Sequence, residues 1–518
     1  MASKAFSKSL LFFYLSLSRQ LASLLSLHRK DHLKLEKNNV SLRHHLHSKT
    51  IVLDVGGGLL RSSPTFPYFM LVALEAGCVL RGLLLLLLYP LLCCLSQQVA
   101  LQVMVLVSFL GIKEEEFRAG RAVLPKYLLE DVGLEAFEVL RKARKKVCVS
   151  NMPRVMVEVF LKEYLEVEVV VGRELKVFGG YYTGLMEDES KVESLEKIFG
   201  EEELDGGVLG FGSCIKSPQH QLFSYCKAVH VATEAEKRNW HALPREQYPK
   251  PLVFHDGRMA FRPTPMATLA MFLWFPFGIS LTIFRSIVFV VLPFEISLPI
   301  GAATGMTNRL VSPPPTSTDD GGKYKLFVCN HRTLLDPVYI SGALNKHVGA
   351  VTYSISPISE TLSPIRTARL TRSKEEDRRR MERLLRQGDL VVCPEGTTCR
   401  EPYLLRFSPL FMELTDEVVP VAVATRVGMF HGTTASGLKV LDSFYFLMNP
   451  WPEYDVEFLR SIPTGSCSSN SRYEVANLVQ REIASALGFQ CTTLTRKDKY
   501  MMLAGNEGIV NSKTKHTS

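Results

Sequence analysis

The chain lacks what nucleic-acid-binding and secreted proteins depend on. Its cysteines show no zinc-finger spacing, and it has no RNA-binding signature and no long block of lysine and arginine. Its basic balance is therefore not that of a nucleic-acid-binding domain. Eleven cysteines form an odd total with no regular frame, which excludes a small disulfide-stapled domain. Cys93 and Cys94 sit inside an apolar run, where packing accounts for them. No internal repeat is present. Charged residues are 22% of the chain against 46% hydrophobic, a balance that excludes a disordered chain.

What the sequence does have is length, basic charge and apolar runs. Its 518 residues allow two or three domains with sizeable cores. The formal net charge is +9. Mean hydropathy, +0.08, is high for a soluble enzyme, and the excess lies in a few runs. Those runs make a lipid membrane the expected partner and exclude nucleic acid.

Residues 1–50 hold nine Lys/Arg and two acids, Asp31 and Glu36, in a Ser-, Leu- and His-rich setting. The arm 1–49 reads either as a mitochondrial transit peptide or as a basic arm lying on a surface. Thr50–Val55 reads as a buried strand ending in Asp54 and the turn Gly56-Gly57-Gly58. An apolar insertion follows over 66–112. Its uninterrupted runs are shorter than the roughly 20 residues of a simple span, so a membrane-embedded hairpin and two full spans both stay open. Soluble strands and helices then alternate to about residue 240, the pattern of a parallel α/β sheet.

A membrane segment is expected over 260–303, as one tilted span or two shorter seated helices. Within it the apolar run Met266–Leu292 is broken only by Arg285. A linker, 304–322, contains S-P-P-P-T-S-T-D-D-G-G. A second α/β domain occupies 323–490, and 491–518 form a polar tail.

The candidate chemistry begins where the strand K-Y-K-L-F-V-C-N runs into His331-Arg-Thr-Leu-Leu-Asp336-Pro337. On one regular helix, positions five apart diverge by about 140°. His331 and Asp336 can meet only if the chain turns into a helix start between them. There the carboxylate can hold one imidazole nitrogen and leave the other free as a base. Such a pair suits deprotonation of a hydroxyl, which alone is a weak nucleophile.

Three further blocks follow in order: S-P-I-R-T-A-R-L-T-R at Ser363–Arg372, C-P-E-G-T-T-C-R-E-P at Cys393–Pro402, and V-P-V-A at Val419–Ala422. Together with N-H-R-T-L-L-D-P they resemble the four blocks of the glycerol-phosphate acyltransferase family. The apolar F-P-Y-F-M-L-V-A-L-E-A-G at Phe66–Gly77 is similar to a segment of the land-plant glycerol-3-phosphate 2-O-acyltransferases. These carry a haloacid-dehalogenase-like domain ahead of the acyltransferase.

The resemblance implies an α/β chain with three parts: a haloacid-dehalogenase-like parallel-sheet domain with an apolar helical insertion, membrane-associated helices, and an α/β acyltransferase domain. It implies His331 as general base and Asp336 as its orienter. Acyl-CoA is an already activated donor, so no covalent nucleophile, metal or cofactor is required. The dianionic phosphate of glycerol 3-phosphate calls for guanidinium groups. The resemblance points to Arg369, Arg372 and Arg400 as substrate contacts, with Glu395 and Gly396 forming the turn of the third block. Like charges repel, so Glu395 is expected to orient glycerol hydroxyls or to hold an arginine. The charged stretch Lys374–Arg386 reads as a solvated helix face with ion pairs four residues apart.

In the front domain, Asp54 matches the nucleophile of the D-x-D-x-T block of haloacid-dehalogenase-like phosphatases. Gly56 stands where the second Asp would be, and Gly58 where the Thr would be. Ser150 can match the second-block Ser/Thr, and Lys191 is a weak match to the lysine. Asp205 reads as a surface turn residue. The stretch Gly212–His220, at the place of G-D-x-x-x-D, carries no carboxylate. Asp54 alone cannot supply both acid catalysis and magnesium ligation, so this is expected to be a degenerate phosphatase site without Mg²⁺.

The expected activity is acyl transfer from acyl-CoA to glycerol 3-phosphate. The resemblance suggests the 2-position, with lysophosphatidic acid made for cutin, suberin or glycerolipid synthesis. Acylation of a lysophospholipid and a bifunctional acyltransferase/phosphatase releasing monoacylglycerol are the alternatives. The endoplasmic reticulum is the expected location, with the mitochondrion open through the arm.

Overall fold

The computed structural model describes residues 49–187, 208–212, 226–314, 324–353, 360, 363–371, 373–464 and 471–507. Residues 1–48 of the arm, Lys191, Asp205, Ser213–His220, residues 315–322 of the linker and Arg372 lie outside the described residues. The chain divides into two units, 1–252 with 262–269, and 253–261 with 270–518.

The front unit is built on a five-stranded sheet in the order β3 (Val169–Gly172), β2 (Lys145–Ser150), β1 (Thr50–Asp54), β6 (Leu209–Gly212), β7 (Ala228–Val231). All neighbours are parallel, with Val52 opposite Val147 and Gly210. Central β1 is buried along its whole length, which is why it reads as an unbroken apolar run instead of an alternation. Strands β4 (Leu175–Phe178) and β5 (Tyr181–Met186) form a separate hairpin.

The apolar insertion folds as short helices, Phe66–Val72, Val79–Leu87, Tyr89–Cys94 and Gln97–Phe109. The first is buried throughout, whereas Leu80, Leu84, Leu87 and Leu91 are exposed. Each is shorter than a membrane span requires.

In the second unit a long sheet runs β11 (Arg366–Arg369), β10 (Gly349–Thr352), β12 (Leu390–Val392), β9 (Leu326–Cys329), β14 (Glu417–Arg426), β15 (Glu453–Phe458), β8 (Thr307–Ser312). The first five strands are parallel, and β15 turns antiparallel to β14. Successive residues of β9 point to opposite faces: Leu326 and Val328 enter one core, Phe327 and Cys329 the other. Covered on both faces, β9 is apolar at every position.

The helix Pro265–Val291 is, among the described residues, the one long and apolar enough to cross a membrane. At 1.5 Å per residue its 27 residues extend about 40 Å. Met266, Leu273, Phe277, Ile287 and Val291 lie exposed along it. Arg285 is only 1% exposed. Its guanidinium donates to the carbonyls of Leu447 and Asn449 at 2.6 and 2.7 Å, and its Nε to Thr304 Oγ1 at 3.1 Å. The one charge in the run is therefore satisfied by helix-end and loop carbonyls rather than by water. A second apolar helix, Phe294–Ala303, follows.

Two boundaries gain detail. Residues 253–261 pack in the second unit, through Met259 opposite Phe430 and backbone bonds from Ala260 to Met429 and from His431 to Arg258. Within the polar tail, Arg496–Ala504 form a helix, opened by a reciprocal Thr495–Asp498 capping box and closed by left-handed Gly505.

Candidate active site

In an open parallel sheet, side chains beyond the carboxyl ends of adjacent strands meet in one crevice. His331 lies two residues past β9, Cys393 and Glu395 lie just past β12, and Thr352 and Tyr353 lie at the end of β10. All but Glu395 line one cavity, with Gly396, Thr397 and Thr398. The local fold brings His331 and Asp336 together: after β9 the chain turns through 332–335, and Asp336 is the first residue of the helix Asp336–Leu344, ahead of Pro337. Pro at the second helical position removes an N–H that would have no partner in any case.

His331 Nδ1 sits 2.8 Å from Asp336 Oδ2. The carboxylate is fully buried. It also accepts from the amides of Arg332 and Thr333, at 2.7 and 2.9 Å, from Thr333 Oγ1 at 3.2 Å, and from the Tyr454 hydroxyl. Burial works against a charged imidazole, but the Cys393 sulfur and the Asp336 carboxylate outweigh it and hold the His331 pKa above its ordinary range.

Glu395 is buried, with both oxygens on backbone amides: Oε1 accepts from His331 N at 2.7 Å and Oε2 from Leu405 N at 2.8 Å. Burial pushes its pKa up to about 7. In this geometry its carboxylate holds the loop that carries His331. Gly396 has φ +65 and lines the cavity, a left-handed position where a Cβ is strained. Asn330 ties the same loop to β14 through a two-way pair with Val423, at 2.8 and 2.9 Å.

The sequence-selected arginines are spread out. Arg369, on edge strand β11, pairs with Glu360 at 2.6 Å. Arg372 lies outside the described residues. Arg400 is largely buried, with Nε on Thr433 Oγ1 at 2.9 Å and a terminal nitrogen 3.6 Å from Asp256. Asp256 accepts from Thr434 Oγ1, Ala435 N, Ser436 N and Ser436 Oγ at 2.6–3.0 Å. Arg400 and these donors overcome the effect of burial and hold its pKa down to about 2. Arg332, not singled out from the sequence, donates to the carbonyls of Cys399 and Glu401 at 2.6 and 2.9 Å, bracing the end of the third block.

Cys393 Sγ lies 3.4 Å from Cys329 Sγ. The ligand atoms of His331, Asp336 and Cys393 lie within 4.8 Å of one another. Asp336 is committed to five hydrogen bonds, which leaves two donors among the described residues, too few for a closed metal site.

Beside this cavity runs an apolar one of about 490 Å³ whose walls include Phe289, Phe294, Leu298, Val338, Ile365 and Phe444. The two share Leu334, Val351 and Thr352.

In the front unit, Asp54 Oδ1 accepts from Gly56 N at 3.2 Å. Ser150 Oγ accepts from Met152 N at 3.1 Å, so both close their own turns. A Cβ on Gly58 would stand 2.7 Å from the Phe211 carbonyl oxygen, which leaves no room for threonine. Gly56 has space for a side chain, with Asp54 Oδ1 4.0 Å from its ideal Cβ. A lysine does reach this turn: buried Lys237 donates to Gly56 O and Ser63 Oγ, both at 2.9 Å. No sequence signal marked it, because it comes from a helix remote in sequence, Glu234–Arg238. With glycine at the second carboxylate position and no acid in Gly212–His220, the residues present do not fit a magnesium ion.

A family model described as the haloacid-dehalogenase-like domain of RAM2-like glycerol-3-phosphate acyltransferases matches residues 50–232, and an acyltransferase model matches 316–424. "Probable glycerol-3-phosphate acyltransferase 3" of Arabidopsis thaliana is 53% identical over 90% of this chain and 92% of its own. Glycerol-3-phosphate acyltransferase 1 of the same plant is 46% identical over 94% of this chain and 86% of its own. Glycerol-3-phosphate acyltransferase RAM2 of Petunia hybrida is 41% identical over 88% and 97%. With its dyad at the strand ends and these relatives matching along nearly its whole length, the chain belongs to the glycerol-3-phosphate acyltransferase family, with a haloacid-dehalogenase-like front domain.

Proposed function

We propose that this protein transfers an acyl group from acyl-CoA to a hydroxyl of glycerol 3-phosphate. The observation that carries the reading is the 2.8 Å contact between His331 Nδ1 and Asp336 in a cavity adjoining an apolar one. Asp336 fixes the tautomer with the proton on Nδ1, leaving Nε2 to take the hydroxyl proton as the oxygen attacks the thioester carbonyl. The imidazolium that forms is stabilised by the buried carboxylate, and it returns the proton to the departing thiolate. The apolar cavity suits the acyl chain.

Acylation at the 2-position, a product that keeps its phosphate, and seating at the endoplasmic reticulum membrane belong to the same reading. The long helix Pro265–Val291 supports membrane association. The donor set around Asp54 supports retention of the phosphate.

The test is an assay of membranes bearing the wild type or His331→Ala, supplied with glycerol 3-phosphate and a panel of acyl-CoAs. Product regiochemistry and phosphate content are read together. The expected product is lysophosphatidic acid, lost in the variant. Acylation of lysophospholipids without any glycerol-3-phosphate-dependent product would overturn the reading.

A further inference from the structure

The Arg496–Ala504 helix brings cations to the catalytic cavity that none of the four sequence blocks contains. Arg496 and Tyr500 line the cavity together with His331, and so does Lys439. Lys439 Nζ donates to Tyr500 Oη at 2.6 Å and lies 4.8 Å from the centre of that ring. The Arg496 guanidinium lies 4.8 Å from the same ring. Behind them, buried Lys499 donates to Thr398 O at 2.6 Å, Thr398 Oγ1 at 3.1 Å and Thr397 Oγ1 at 3.3 Å, joining the helix to the third block.

Among the described residues neither Lys439 nor Lys499 forms an ion pair with a carboxylate. Asp442, the acid lining the cavity, pairs with Arg258 at 2.7 Å and also feels the charges of Arg400 and Lys439. Burial and the nearby Arg400 push Lys499 down to about 8. Cations crowded this way favour an anion among them.

We propose that Arg496 and Lys439, braced by Tyr500 and Lys499, form the site for a substrate phosphate in this cavity. The inference rests on the acyl-transfer reading. Two substrates carry the chemistry: the phosphate of glycerol 3-phosphate, which lies a few covalent bonds from the reacting hydroxyl, and the phosphates of coenzyme A. Arg369 pairs with Glu360, and Arg400 with Asp256 and Thr433.

The experiment measures kcat, both KM values and inhibition by inorganic phosphate on full-length protein in membranes, for Arg496→Ala, Arg496→Lys and Lys439→Met. Lys497→Ala, exposed on the same helix and paired with Glu507, is the control. The expected result is a rise of about ten-fold or more in KM for glycerol 3-phosphate, equivalent to about 1.4 kcal/mol. The phosphate inhibition constant should weaken in parallel, kcat should fall at most a few-fold, Arg496→Lys should recover part of the loss, and the control should stay within about two-fold. A rise confined to the KM for acyl-CoA would support the site and assign it to coenzyme A. Both KM values and the inhibition constant unchanged in Arg496→Ala and Lys439→Met would overturn the inference. Should Arg496→Ala not fold, Lys439→Met decides alone. A wild type without glycerol-3-phosphate-dependent transfer would instead remove the underlying reading.

Discussion

Asp336 Oδ2 stands 2.8 Å from His331 Nδ1 and 2.7 Å from the amide of Arg332, so one oxygen holds both the ring and the backbone of the loop that carries it. The other oxygen accepts from Thr333 and Tyr454. With every lone pair used, the carboxylate has one orientation, and so has the imidazole.

This pairing sets the pH dependence. In the proposed mechanism the base acts in its neutral form, and the Cys393 sulfur and Asp336 raise the His331 pKa against the effect of burial. Activity should rise with pH along a limb lying above the ordinary imidazole value of about 6.5. The stability contributed by the same shift runs the other way: it is complete below about 6.5 and lost as pH passes the folded value. Asp336→Asn should lower kcat by about 10²–10⁴-fold and move the limb to lower pH. A limb that stays in place, measured as kcat/KM against pH, would count against Asp336 as the tuning group.

In the proposed mechanism Glu395 acts through His331 without touching the reacting atoms. Its two oxygens hold the amides of His331 and Leu405 at 2.7 and 2.8 Å. Glutamine keeps one acceptor and turns an NH2 toward the other amide, a loss of about 1–3 kcal/mol. Glu395→Gln should therefore reduce kcat about ten- to hundred-fold, leave both KM values within about three-fold and lower the melting temperature. A selective rise in the KM for glycerol 3-phosphate would mean that it touches the acceptor instead.

Strands and blocks were legible because β1 and β9, covered on both faces, stand out as short apolar runs closed by turn residues. The dyad was legible because a five-residue spacing demands a strand-to-helix turn. Tertiary partners were not. Nothing local marks Lys237 as the lysine beside Asp54, Asp256 as the partner of Arg400, or Tyr454 as a donor to Asp336, since each pair is far apart in sequence. The tail helix did carry a local signal, the Thr495-x-x-Asp498 box with Gly505 beyond its end, which the polar composition of 491–518 obscured.

Asp256 fastens residues 253–261 to the acyltransferase unit. Its four hydrogen bonds and the ion pair with Arg400 are buried. Asp256→Ala strands a buried guanidinium, a loss of about 3–5 kcal/mol, read as a lower melting temperature of the detergent-solubilised protein at pH 7. With a folded pKa of about 2, the contribution is present above the ordinary value of about 3.9 and is lost as pH falls toward 2. A melting temperature within about 1 °C of wild type would refute the role.

The front unit should release no phosphate from lysophosphatidic acid, and Asp54→Asn should leave both the rate of acyl transfer and the phosphate content of the product unchanged. Restoring the block is not open at both positions. Gly56→Asp has room, whereas Gly58→Thr meets the Phe211 carbonyl and should lower stability by about 1–3 kcal/mol. Phosphate release by the wild type that disappears in Asp54→Asn would show a working phosphatase.

Cys393 decides between direct and two-step transfer. Its sulfur is near His331 and Asp336, a grouping that invites comparison with cysteine acyl-enzymes. The hydrogen bond with Cys329 and burial push the Cys393 pKa well above the ordinary thiol value, so it remains a thiol at neutral pH, and the thiolate is the nucleophile. Acyl-CoA is itself a thioester, so passing the acyl group to a second sulfur lowers no barrier that the hydroxyl would not still face. Cys393→Ala should keep more than about a tenth of wild-type kcat, and wild type without glycerol 3-phosphate should not exchange labelled coenzyme A into acyl-CoA. Exchange at a rate matching turnover, abolished by Cys393→Ala, would establish an acyl-enzyme and reassign His331 to activating a thiol.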